Sequence, residues 1–300
     1  MHSEPIYSFA ALRNQLRVTG DLVALTALRI GAGRASDVTS NDLPVLRDAL
    51  GAPFIPGASL KGAFRARIEA LIRAVAPDQA LDLLEIEAWM RREIPKLNED
   101  PGIRSLRQQG HVAEADRRFS EAIWAKSTLI DLTFGAPWIA GRIFFKDALV
   151  DRSIWFNHFE VRNGVALNRD TETAEPGLLY DYEVVPAGMR FRFEVVLENA
   201  EAWQRGLLLL ALKPWEDGNA WIGGFRSRGL GRMKLNTTER RYIEVTPDVT
   251  GVDAVLRMFG YGSEGSTEVL LDDDPRIIDW ITDFRHELVA QAQKGDHHHA

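Results

Sequence analysis

Four basic residues, Arg226, Arg228, Arg232 and Lys234, are interleaved with four glycines in the run GGFRSRGLGRMKL from Gly223 to Leu235. A glycine-rich backbone with free N–H donors, flanked by guanidinium groups, is suited to wrapping phosphate. A tight turn explains one or two of the glycines, but not the arginines set between them. A second cationic pair, Lys61 and Arg65, is four residues apart on one face at the start of a helical pattern, in PGASLKGAFRARIEAL. Cations in a first helical turn oppose the helix dipole, and an external anion would relieve that conflict. The alternative is a solvated face whose basic side chains cover apolar surface with their stems. The run is not a nucleotide P-loop, because Lys61 is followed by Gly62 and the glycine spacing is wrong.

Other chemistries are closed off by composition. The 300 residues include no cysteine, which excludes disulfides, thiolate metal sites and a cysteine nucleophile. Any metal must be held by oxygen or histidine, and His2, His111, His158 and His286 stand singly, with no HxxxH-type spacing. A net charge of −7 looks wrong for a phosphate binder, but charge is segregated. Gly223–Arg241 carries six basic residues against Glu239 alone, whereas Glu268, Asp272, Asp273, Asp274, Asp279 and Asp283 face only Arg276. A basic groove on an acidic protein is compatible with that pattern. The longest apolar run, Leu207–Leu212, is far short of a bilayer span, and the N-terminus lacks a basic segment followed by an apolar one, so the expectation is a cytoplasmic protein without a membrane partner.

The elements that must position these residues are read from periodicity. Alternation from Leu16 to Ile30 predicts a strand, followed by a loop from Gly31 to Gly57 and a helix capped by Ser59 and running to Val75. Helices are predicted at Asp78–Ile94 and Glu114–Ser127, separated by a stretch containing Pro, Gly and Asn. Strands follow at Gly141–Val150 and Met189–Leu197, then a helix at Ala200–Leu212 and a short strand at Arg232–Leu235. Helices at Val252–Phe259 and Arg276–Gln293 end the chain. The expectation is an α+β fold with a ferredoxin-like (RRM-like) βαββαβ core, a helical insertion at about 76–137, a thumb hairpin at 152–187 and a C-terminal helical extension from 241 to 300. That order alone names no function.

The pieces LRIGAG, PFIPGASLKGAFRARIE, DLTFGAPWIAGRIFFKDA, LYDYEVVPAGMRFRFEVVL and GGFRSRGLGRMKL, in this order, resemble the RAMP superfamily. Within it they are similar to the Cas-seven-type backbone subunits of type III CRISPR effector complexes, and the similarity runs from about Leu16 to Leu235. The resemblance implies a protein of antiviral defence that stacks with other RAMP subunits along a guide RNA, holding backbone and shape while base pairing reads the target RNA. It implies that Lys61, Arg65, Arg226, Arg228 and Arg232 contact RNA. The segment Phe159–Gly177 falls where the family has its thumb, with a turn signal at Asn163–Gly164 and with Asn168 and Arg169 as RNA contacts.

The resemblance also implies an endoribonuclease carboxylate in the loop after the first strand, where the 2'-hydroxyl of the target attacks the adjacent phosphate with help from a divalent metal. Asp37 occupies that loop, with GRAS between it and the glycine turn, and Asp42 is a rival five residues on. A hard carboxylate suits Mg²⁺ or Mn²⁺, and one Asp suffices where water and phosphate supply the other ligands. Either residue could instead be an Asx-turn in a Ser/Thr/Asn-rich loop. Some members hold zinc through cysteine and histidine near the segment matching Asp131–Pro137, and without cysteine no zinc is predicted here. Two alternatives stay open: a non-catalytic scaffold subunit of the same complex, and a free-standing ferredoxin-like ligand-binding protein, which would need a compact pocket.

Overall fold

The clearest alternation in the sequence becomes the central strand. In β1 (Asn14–Ala24) every even residue is buried and every odd one is partly exposed, because one face of a half-covered sheet meets the core. The computed structural model describes residues 9–33, 43–168, 170, 172–261 and 268–296, and its fold is mixed α+β. After β1 the elements are β2 (Phe54–Ile55), α1 (Gly57–Arg73), α2 (Leu83–Asn98), α3 (Pro101–Gln108), α4 (Val112–Lys126) and α5 (Leu129–Phe134). Then come β3 (Ile143–Phe145), β4 (Ala148–Leu149), β5 (Glu160–Asn168), β6 (Thr173–Val184), β7 (Arg190–Glu198) and α6 (Ala202–Glu216). The chain continues through β8 (Ala220–Trp221), β9 (Arg232–Glu244), α7 (Val249–Met258), β10 (Glu268–Val269) and α8 (Pro275–Asp296).

The main sheet has the order β10-β9-β1-β7-β3, with β8 pairing β9, and its pairings are antiparallel. Helices α1 and α6 cover the face that carries Leu16, Val18 and Leu22. Phe64 of α1 joins them to the sheet: its ring lies flat on Trp215 of α6 at 4.6 Å and faces Phe193 of β7 at 6.1 Å. Burying such a ring contributes roughly 1.5–3 kcal/mol. Helix α8 packs on α6 so closely that a Cβ on Gly206 would stand 2.0 Å from the Trp280 carbonyl oxygen. Among the described residues no helix is long and apolar enough to cross a membrane.

Several expected boundaries move, each for a physical reason. The first strand ends at Ala24 instead of Ile30. Leu28 and Ile30 stay buried, but Leu28 now bridges Val185; alternation reports burial and not the pairing partner. Helix α1 begins at Gly57, and neither Ser59 nor Pro56 caps it with a side chain. The Gly57 N–H instead donates to Asp147 Oδ1 at 2.7 Å. Asp147 can reach because the strand expected over 141–150 breaks between β3 and β4. A stretch expected to separate two helices forms α3, with Asp100 accepting from the Ile103 N–H and Pro101 at the first helical position, where a missing N–H costs nothing. Before α2, Pro77–Gln79 make a single 3-10 turn, and the helix starts at Leu83 behind an Asp82–Glu85 capping box.

One strand was mostly hidden by polarity, and one hairpin turn was misplaced. β9 runs thirteen residues instead of four, pairing β1 from Met233 to Glu244 around a bulge at Thr19/Gly20, so the expected start of the C-terminal extension at residue 241 lies inside it. β5 and β6 form the expected hairpin, but Asn163 and Gly164 are not its turn. They sit in mid-strand opposite Asp181 and Tyr180, and a Cβ on Gly164 would meet the Tyr180 ring at 2.2 Å. Glycine is there to let an aromatic ring lie across the hairpin.

The helical insertion is held by one carboxylate. Glu93 of α2 is almost covered and meets Lys126 of α4 at 2.6 Å, Arg92 at 2.8 Å and Lys96 at 3.5 Å. Its hydrogen bonds from Lys126 and then Arg92 hold the carboxyl well below its usual range, at about 2. The folded-state value is depressed, so the stabilisation is present above the unfolded value near 4.5 and is lost as pH falls toward 2. The cations are largely solvated, so the effect is discounted to about 1–2 kcal/mol. Glu93→Gln is expected to lower the urea midpoint at pH 7, and its gap to the unsubstituted protein should shrink below pH 4.5. A gap that stays constant to pH 3 would exclude the carboxylate charge as the cause.

Candidate nucleic-acid interface

The glycine-rich run forms the turn between β8 and β9. Its ends close through the Ile222 N–H on the Gly231 oxygen at 2.9 Å, and it docks on the chain after β1 through Gly224 N to Arg29 O and Gly231 N to Ala27 O, both 2.9 Å. Gly223 has φ +86°, and a Cβ there would lie 2.2 Å from the Arg29 oxygen. Close backbone approach therefore accounts for this glycine without any ligand. What the turn presents outward is a 3-10 turn, Arg226–Arg228, preceded by Phe225 in the left-handed region at φ 57°. A left-handed phenylalanine is strained and persists only when its surroundings hold it. Here the ring sits beneath the guanidinium groups of Arg29, 5.4 Å away, and Arg228, 5.2 Å away, and against Tyr182 at 4.7 Å.

The three arginines of the run differ in freedom. Arg226 is exposed, and its guanidinium has no partner among the described residues. Arg228 donates from Nη1 to the Tyr180 hydroxyl at 2.7 Å, tying the turn to β6. Arg232 donates from Nε to the Gly218 oxygen at 2.7 Å, while its backbone N–H donates to Thr26 Oγ1.

On α1 the expected pair stays on one helix face but its members differ in what they bind. Lys61 is the fifth helical residue, beyond the first turn to which the dipole effect is confined, so the dipole argument does not single it out. Lys61 is half-buried without a hydrogen-bond or ion-pair partner among the described residues, and burial, then the charge of Arg65, hold its ammonium below the usual lysine range. Arg65 is engaged internally: Nε on Glu69 at 2.6 Å, Nη1 on the Gly135 oxygen at 2.7 Å, and the buried Asp131 carboxylate 3.9 Å away. Desolvation keeps that carboxyl above its ordinary range.

Asp37 and Asp42 lie outside the described residues, as does Arg169. Asn168 ends β5 opposite Thr173. The two ends of the 34–42 segment are fixed: Gly31 bridges Val45, Ala32 N donates to Pro44 O, and Leu43 bridges Tyr182. Glu183 accepts from the Val45 N–H at 3.1 Å and from Arg47 through both oxygens. The glycine-rich turn, the hairpin base and both ends of this segment thus converge around Arg29, Phe225 and Tyr182. Arg29 was not singled out in the sequence, since it reads as the solvent side of an alternating strand; burial lowers its pKa below the usual arginine value. Among the described residues no group of three or more His, Asp or Glu could hold a metal ion.

The family model of the RAMP superfamily matches residues 21–234. The sequence is 25% identical over 234 residues to the CRISPR system Cms endoribonuclease Csm3 of Methanothermobacter thermautotrophicus, covering 75% of this chain and 84% of that protein. It is 26% identical over 258 residues to the protein of the same name from Mycobacterium tuberculosis, covering 76% and 89% of the two chains. For that from Methanocaldococcus jannaschii the identity is 25% over 231 residues, covering 75% and 79%.

Proposed function

Because this chain belongs to the RAMP superfamily, we propose that it is a backbone subunit of a type III CRISPR effector complex, bound to guide RNA beside other RAMP subunits, and that it cleaves paired target RNA. The observation that carries this reading is the convergence of the glycine-rich turn, the β5–β6 hairpin base and the ends of the 34–42 segment, with Arg226 left unpartnered beside them. Similarity to endoribonucleases named Csm3 supports it. The sequence β1-α1-β3-β7-α6-β9, with sheet order β9-β1-β7-β3, supports a ferredoxin-like core. Lys61 and Arg226 bind guide phosphate, Arg228 and Arg232 shape the turn while offering their remaining N–H groups, Arg65 steadies α1, and Asn168, at the end of β5, and Arg169, next to it in the sequence, contact the duplex.

For cleavage, Asp37 orients the target's 2'-hydroxyl or accepts its proton. The new bond forms between O2' and phosphorus, the bond to the 5'-oxygen breaks, and that oxygen leaves with a proton. The donor chemistry fits Mg²⁺ or Mn²⁺ held through Asp37, water and phosphate oxygens; such an ion supplies positive charge to the phosphate when bound. A scaffold subunit lacking cleavage is the second reading, favoured if the unsubstituted complex binds target tightly and never cuts it.

Binding is tested separately. Lys61→Ala combined with Arg226→Ala is expected to weaken single-stranded RNA binding about 10–100-fold, equally for unrelated sequences. The slope of log affinity against log salt should fall by roughly 0.7 per lost phosphate contact. With the fold intact by circular dichroism, an unchanged slope would remove both residues from the RNA path.

A further inference from the structure

Six of the eight tryptophans are buried, but Trp221 of β8 is 44% exposed. A partly exposed indole offers a flat apolar face and an N–H to whatever enters beside it. The ring lines a cleft of about 290 Å³ between α1 and the start of the glycine-rich turn. The α1 wall is Ala63, Ala66, Arg67 and Ala70, at the i, i+3, i+4, i+7 spacing that puts four residues on one stripe. Three are alanines, so the wall is flat, and the fourth is a cation. On the other side stands Arg226. Neither Arg67 nor Arg226 has a side-chain partner among the described residues, and no carboxylate lines the cleft. Arg232 is the cross-strand partner of Trp221.

We propose that this cleft is a nucleotide-binding subsite, in which one base of single-stranded RNA stacks on Trp221 against the alanine wall of α1 while the adjoining phosphate lies between Arg67 and Arg226. The proposal rests on the RNA-binding reading above and adds to it a base contact and two residues, Trp221 and Arg67, that sequence reasoning did not single out. The chemistry selects the ligand. Two unpartnered guanidiniums without a neighbouring acid call for an anion, and an exposed indole beside a flat small-residue wall calls for a planar ring. A nucleotide joins the two within one covalent unit. Stacking is tolerant of sequence because every base has a π-face, so the subsite holds RNA of any guide sequence.

The test uses the full chain and two labelled single-stranded oligomers of equal length, oligouridylate and its counterpart with abasic ribose units, compared by fluorescence anisotropy. Unsubstituted protein is expected to prefer oligouridylate about 5–100-fold. Trp221→Ala should lower oligouridylate affinity by a factor in that range and bring the two oligomers together. Trp221→Phe keeps a ring and should keep most of the preference. Arg67→Ala should weaken both oligomers alike and reduce salt dependence while leaving the base preference intact. A folded Trp221→Ala protein that still binds oligouridylate as tightly as the unsubstituted chain, with binding still salt-sensitive, overturns the subsite and leaves the RNA-binding reading standing. An unsubstituted protein that binds neither oligomer overturns both.

Discussion

Replacing Asp37 by Ala or by Asn is expected to slow cleavage of a complementary RNA by about 10²–10⁴-fold, the range set by loss of a positioned acid–base group, while guide and target binding stay nearly unchanged. Asn keeps the shape and hydrogen-bonding capacity of the side chain but neither its charge nor its basicity, so equal losses in both variants point to the carboxylate itself. Three carboxylates among the described residues, Glu183, Asp48 and Asp147, are already committed. Glu183 is clasped by Arg47 and the Val45 N–H. Asp48 accepts from the Leu50 and Ala52 N–H groups and from Arg152, and these hydrogen bonds, that from Ala52 foremost, hold its carboxyl below its usual range. Asp147 caps α1. Recruiting any of them would break a contact that shapes the fold. Asp42→Ala should cut at close to the normal rate. The assay is the assembled complex with end-labelled target, with Mg²⁺ or Mn²⁺ and with EDTA. Undiminished cleavage by both Asp37 variants would remove the assignment, and tight target binding by the unsubstituted complex without any cleavage would favour the scaffold reading.

Gly223→Ala is expected to destabilise the protein by about 2–4 kcal/mol, combining roughly 1–2 kcal/mol for an L residue in the left-handed region with the strain of a Cβ forced against backbone. The contact is with the Arg29 carbonyl oxygen, which cannot swing aside as a side chain can. Gly229 provides the comparison: its φ is +83°, yet a Cβ there meets nothing within 4 Å. Gly229→Ala should therefore cost only about 1 kcal/mol, the conformational part alone. Chemical denaturation of the two variants side by side measures the difference. Equal losses would mean that the turn shifts freely off the Arg29 carbonyl.

Much of the frame was legible because burial leaves a periodic trace. The alternation in β1 and β7 and the helical spacing of Leu60, Phe64, Ile68 and Ile72 follow the core directly. What stayed hidden depends on contacts distant in sequence. The polar run Asn236–Arg241 shows no alternation, and only its pairing with β1 makes it strand. The cap of α1 comes from Asp147, ninety residues away. Asn163–Gly164 has the local signature of a turn, but Tyr180 across the hairpin decides its conformation. In the candidate interface the glycine-rich run was recognisable as a cation-bearing turn. Its division into Arg226 facing solvent, Arg228 held by Tyr180 and Arg232 held by Gly218 was not, because sequence gives the charge and not its partner.

The union of Arg228 with Tyr180 and of Phe225 with Tyr182 has a mechanical consequence. Both contacts fall on the half of β6 nearer the hairpin base: Tyr182 is opposite Arg162 and Tyr180 opposite Gly164, the middle of the nine-residue β5, which leaves an arm of about 13 Å beyond them at about 3.3 Å per residue. Two contact points a short way apart constrain direction as well as position, like paired bolts at the root of a crane jib. A rotation of about 10° about these contacts would sweep the end of β5 through about 2 Å on an arm of that length, about half the separation between neighbouring strands. Small repacking around a single strained phenylalanine is therefore amplified most at the tip, and the aim of the whole arm is set where it is shortest.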